Sequence, residues 1–187
     1  MVKPMQTNSI LIGTLAVIGF AGPIFAADPG KSDYAGQETR STKSLSQQDV
    51  AALRNADGMG MAKAAELNGY PGPRHVLALA QELGLTEGQI TQVTAVRNRM
   101  SAAALPLGVE LIDREGALDR LFSHGRITPE LLTAETAAIG EIQGLLRAVH
   151  LAAHLETHTI LSIEQVAQYN KLRGYAGTGT SDHDHAR

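Results

Sequence analysis

LTEGQI at 85–90 and LSIEQV at 161–166 are near-copies of one phrase, and how that phrase is read decides the fold. With Thr86 immediately before a helix, Gln89 stands at the third helical position. There its side chain reaches back to the Thr86 amide while the Thr86 hydroxyl accepts from the Gln89 amide, the reciprocal arrangement of a capping box. Leu85, just before the cap, and Ile90, at the fourth helical position, are spaced as a hydrophobic staple. Ser162, Gln165, Leu161 and Val166 repeat the four roles. LSQQDV at 45–50 is a looser third copy with Asp49 in place of the glutamine. Each such cap is worth about 1 kcal/mol, and Thr128 followed by Pro129 marks a fourth helix start.

Outward from these starts the apolar pattern is helical throughout. From Glu87 to Ser123, Ile90, Val93, Val96 and Met100 recur at three- and four-residue steps, predicting one long helix that ends at SHG. Pro106 removes a ladder bond and crowds the preceding turn, so a kink is expected near Ala102–Pro106. A second long helix is expected from Pro129 to about His158, antiparallel to the first. LSQQDVAAL (45–53) predicts a first helix, which DGMGM (57–61) interrupts before AKAAELNG carries it to a stop at Asn68-Gly69. RHVLALAQELG (74–84) predicts a short helix, closed by Gly84, with Val76, Leu77, Leu79, Ala80 and Leu83 available for burial. LSIEQVAQYNKLRGY supplies the last one. The expected class is all-α, a bent antiparallel helical hairpin with short flanking helices.

Composition agrees. The 187 residues suffice for one domain with a real core, and a 43% hydrophobic content with only 4% aromatic residues favours helices over sheets. Nineteen acidic residues against sixteen basic ones leave no broad cationic surface, so nucleic acid is not an expected partner. Residues 1–26, with Lys3 as the one charge and IFA before ADPG, read as a secretory signal peptide cleaved after Ala26; an uncleaved membrane anchor is the alternative. The expected compartment is the periplasm, where a chain without cysteine gains nothing from disulfides. Residues 27–44 read as a flexible polar arm, 45–175 as the helical domain, and 176–187 as a disordered tail.

The chemistry-bearing candidates are histidines. His150, His154 and His158 stand at four-residue steps, which places neighbours on adjacent turns of one helical face. Two of them can share a metal ion, whereas all three cannot, because eight residues rise about 12 Å. A full zinc site would need further ligands such as His75, His124, Glu156 or a second subunit. The competing reading is a partly solvated polar stripe beside the core. Met59 and Met61 form a soft, copper-type pair or simply pack, and His183 and His185 flank Asp184 in the tail. No cysteine, G-x-S-x-G or H-E-x-x-H is present, so no enzyme is expected. Asp113, Glu115 and Asp119 among Arg114 and Arg120 read as a solvated, ion-paired face. Around 142–160, Ile142, Leu146, Val149, Ala153 and Ile160 share one face while Leu151 and Leu155 fall away from it. The second face is either more internal core or a surface for a partner.

The signal-like start, the lack of cysteine and the two L-[TS]-x-x-Q phrases around a helical hairpin together resemble the Spy/CpxP family of periplasmic LTxxQ-motif proteins. The likeness covers about 45–175. Leu85, Thr86 and Gln89 match the motif fully, and the second copy has Ser162 in place of threonine, which caps at least as well. The resemblance implies a concave homodimer acting as an ATP-independent chaperone (holdase) for unfolded or misfolded periplasmic proteins in envelope stress. The absence of a phosphate-cradling G-x-x-x-x-G-K-[ST] loop suits that role, which requires no cofactor. It also admits a second role, a periplasmic metal sensor or scavenger that takes zinc or another divalent transition metal at the histidine-rich helix. A third is an accessory subunit regulating a membrane sensor.

Overall fold

The computed structural model describes Gly30 and residues 32–175. The expected signal peptide, and the tail with His183 and His185, lie outside the described residues. Residues 32–35 form a turn, the Ala35 amide donating to the Ser32 carbonyl. From Gly36 on, the body consists of α1 (Gln47–Arg54), α2 (Lys63–Glu66), α3 (Pro73–Ala78), α4 (Glu87–Ser123), α5 (Pro129–Ile160) and α6 (Ile163–Leu172), with no strand among the described residues. No described helix is long and apolar enough to cross a membrane.

All three capping boxes form. Thr86 Oγ1 accepts from the Gln89 amide at 3.2 Å while Gln89 Oε1 accepts from the Thr86 amide at 3.1 Å. Ser162 and Gln165 repeat the pair at 3.2 and 2.9 Å, and Ser46 and Asp49 at 3.0 and 2.9 Å. Thr128 caps α5 through the Leu131 amide. Thr86→Ala should therefore cost about 0.5–2 kcal/mol of stability in urea unfolding; an unchanged midpoint would contradict the cap. The staples contribute less than their spacing implies. Leu85 and Leu161 pack on a core cluster, but Ile90 is 37% exposed and stays outside it.

α4 and α5 are antiparallel, since Arg99 pairs with Glu156 near one end of the hairpin and Arg114 with Glu135 further along. Gly125, at φ +63°, turns the chain out of α4 into the short link to α5. α4 is continuous through Pro106. The Ala102 carbonyl, which loses its usual donor there, belongs to an exposed residue that water can serve. One core cluster joins Leu53 and Ala56 to Ala104, Leu111, Ile139, Ile142 and Leu146, so α1 lies across the hairpin. A second gathers Val76, Leu83, Val93 and Tyr169 near the paired motifs.

Two elements depart from the sequence reading. α3 is shorter than the helix expected over 74–84; after Ala78 the chain continues as hydrogen-bonded turns to Gly84, at φ +59°. The interruption expected at DGMGM is present: the first helix ends at Arg54, and Ala56, Met59 and Gly60 all take left-handed backbone before α2 starts. The segment before α1 is pinned to α4: Thr42 is buried, Ser44 donates to Glu115 at 2.7 Å, and Lys43 meets Asp119 at 3.1 Å. Part of the face read as solvated thus receives this segment.

Candidate functional site

The two motif glutamines meet. Gln89 Nε2 donates to Gln165 Oε1 at 2.8 Å and to the Ile160 carbonyl at 2.9 Å; Gln165 Nε2 donates to Gln89 Oε1 at 3.1 Å and to the Leu83 carbonyl at 3.3 Å. An amide carries both a donor and an acceptor, so each glutamine closes its own cap with its oxygen and clasps the other start with its nitrogen. The phrase occurs twice because the starts of α4 and α6 face each other. A glutamate in place of either glutamine would cap equally well but could not donate.

The three histidines of α5 do not converge. Among the described residues no group of three or more His, Asp or Glu side chains is placed to hold a metal ion. Each ring instead meets a different part of the segment that precedes α4. His158 lies against the Tyr70 ring, centroids 4.6 Å apart. His154 Nδ1 lies 2.7 Å from the Tyr70 carbonyl. A carbonyl only accepts, so Nδ1 is the donor in this bond and Nε2 is the ring nitrogen left outside it. His150 is 3% exposed, its Nδ1 facing Gly58, which replaces the expectation of a partly solvated stripe. Burial, then the neighbouring His154, hold its pKa below the usual imidazole value. Of the other proposed ligands, Glu156 is engaged by Arg99 at 2.6 Å and His124 caps α4 at its C-terminal end.

The residue that organises this region is Glu66, which the sequence reading passed over. Its side chain is nearly enclosed. Oε1 accepts from the Tyr169 hydroxyl at 2.5 Å and the Tyr175 hydroxyl at 3.1 Å, and Oε2 accepts from the Gly72 amide at 3.2 Å. Arg173, His75 and His154 lie 3.5, 3.6 and 3.7 Å away. Burial, then the bond to Glu66, push the Tyr169 phenol well above its ordinary pKa, so it remains a donor. His75 is held below the usual imidazole range by burial and then by Arg173. The one trace in sequence is a carboxylate at the end of AKAAE, where neighbouring alanines are small enough for close packing.

Glu66, His75, His150 and His154 line one cavity of about 710 Å³, with Met59 and Met100 in its wall. A second, open cleft of about 770 Å³ runs between α1, α2 and the hairpin, lined mainly by Leu45, Leu53, Met61, Leu67 and Leu111. No family model matches this chain, and no curated protein or solved structure matches it either.

Proposed function

We propose that the protein is an ATP-independent holdase of the Spy/CpxP type that works in the periplasm and shields unfolded chains on the surface of its helical hairpin. The observation that carries this reading is the apolar surface left uncovered on both long helices. Scattered exposed leucines are ordinary. Here, however, α4 leaves Leu105, Val109 and Phe122 39–54% exposed, and α5 leaves Leu131, Leu132, Leu145 and Leu155 39–55% exposed. Of the two apolar faces on α5, Ile142, Leu146 and Ala153 form core, whereas on the other Leu151 is half-buried and Leu155 is 55% exposed. Dispersed apolar contacts of this kind give weak, sequence-tolerant binding, which suits a client that has no fixed shape.

The test is light scattering of an aggregating client mixed with excess protein, in chelator and without ATP. Suppression is expected, and it should weaken in a Leu105→Ser, Val109→Ser, Phe122→Ser triple variant whose melting temperature is unchanged. No suppression at several-fold excess would reject the reading. Sedimentation of the same samples reports whether the hairpin pairs with a second copy.

A second reading, a metal-binding sensor or scavenger, is favoured by one observation: His150 and His154 open on the same cavity as His75. Zinc or another transition-metal ion should then bind in solution and be lost when His150 and His154 are replaced.

A further inference from the structure

We propose that the cavity between the 55–75 segment, α4 and α5 takes a cuprous ion, held by the imidazoles of His150 and His154 and the thioethers of Met59 and Met100. The proposal rests on the metal-binding reading and names the ion and its ligands. His150 is 97% buried, and neither of its ring nitrogens has a hydrogen-bond partner among the described residues. Leaving a buried polar group unpaired costs about 1–3 kcal/mol, so its retention points to a ligand. Those nitrogens are not sealed in: among the described residues the fully enclosed side-chain atoms without a hydrogen bond are Glu135 Oε2, which Arg114 approaches to 3.5 Å, and Asn170 Oδ1. His150 lines the cavity and faces into it.

His154 is one turn away on the same face, its Nδ1 donating to the Tyr70 carbonyl, so Nε2 is the ring nitrogen left to bind a metal. Gly72 approaches this ring closely, and a Cβ there would stand 2.7 Å from Cε1 and 2.8 Å from Nε2, so only glycine leaves the nitrogen uncovered by a side chain. The third imidazole of the cavity, His75, is turned to Glu66, its Nδ1 3.6 Å from Oε1, and Asp57 is paired with Arg74 at 3.0 Å. Glu66 is occupied by Tyr169, Tyr175 and the Gly72 amide. Two nitrogens fall short of the four-ligand set of nitrogen, oxygen and thiolate that zinc takes.

What remains in the wall is sulfur. Met59 and Met100 line the same cavity, and thioethers select soft Cu(I) over harder divalent ions. Met59 also sits at φ +44°, although its neighbours on both sides are glycines that would take such backbone without strain. A side chain held at a strained position next to a cavity is a mark of function. Charge points the same way. Lys63, Arg74 and Arg97 line the cavity against Asp57 and Glu66, an excess of positive charge that opposes a dication more than a monocation.

The experiment is an anaerobic titration of the purified protein against a chromophoric cuprous chelator, in a His183→Ala, His185→Ala background that removes the tail histidines. One equivalent of Cu(I) should leave the chelator. Met59→Leu with Met100→Leu conserves volume and should weaken binding by about tenfold or more, with the circular dichroism and melting temperature of the parent. His150→Gln with His154→Gln should abolish it. Retention of all copper by the chelator, or equal affinity in the methionine variant, overturns the proposal. Zinc binding that needs His150 and His154 but no methionine would overturn it while leaving the broader metal reading in place. No binding of either ion would reject both.

Discussion

Glu66→Leu should lower the unfolding free energy by about 3–5 kcal/mol, the range for removing one partner from a buried charged cluster, read as a fall in the urea midpoint at unchanged slope. Leucine fills a similar volume, so the loss is one of pairing and not of packing. The Tyr169 side chain is wholly buried and its hydroxyl donates to Glu66; without the carboxylate that donor has no acceptor and no route to water. The Gly72 amide is stranded as well. Arg173 keeps its positive head near a site that no longer holds a countercharge. Glu66→Gln keeps one acceptor oxygen and should lose less than the leucine variant. A loss below about 1 kcal/mol for Glu66→Leu, the net worth of a single ordinary hydrogen bond, would show that the carboxylate does not organise this end of the molecule. Because Glu66 joins α2, the start of α3 and the end of α6, its loss should also remove any metal affinity that depends on the wall carrying Gly72.

The caps and both long helices were legible because their determinants are local. Ser46, Thr86, Thr128 and Ser162 each bond to an amide three residues on, and spacing of that kind is written in the chain. The hairpin followed from two long periodic stretches with a short link. The clasp between Gln89 and Gln165 was not legible, since nothing local tells a glutamine which carbonyl its free nitrogen will meet. His150, His154 and His158 share a helical face, as their spacing requires, yet what that face meets is decided by left-handed backbone at Ala56, Met59 and Gly60. Those angles wrap the 57–72 segment over α5 and give each ring its own partner. Glu66 escaped notice for a related reason. A lone carboxylate in an alanine-rich turn reads as solvated until Tyr169, 103 residues away, is seen to donate to it.

Gly108→Val is the other substitution with a large expected effect, and its sign is decided by a single close approach. A Cβ at Gly108 would stand 2.6 Å from the Leu53 carbonyl oxygen and 3.2 Å from its carbon. Both are backbone atoms at the end of α1, so no side chain can swing aside to make room. α1 must lift from α4 or α4 must bend, and either movement opens the cluster that Leu53 and Ala56 form with Leu111 and Leu146. Overpacked cores lose about 1–3 kcal/mol and occasionally more, and a β-branched residue against fixed backbone belongs at the upper end. Gly144→Ala in α5 is the control: a Cβ there meets nothing within 4 Å, so the gain in helix propensity over glycine, about 0.8–1 kcal/mol, should appear as added stability. Thermal unfolding of the two variants should therefore move in opposite directions from the parent. If Gly108→Val unfolds at the parent temperature, α1 is not seated on α4 as described. The cavity bounded by the chain leaving α1 would then lose the wall that carries Met59.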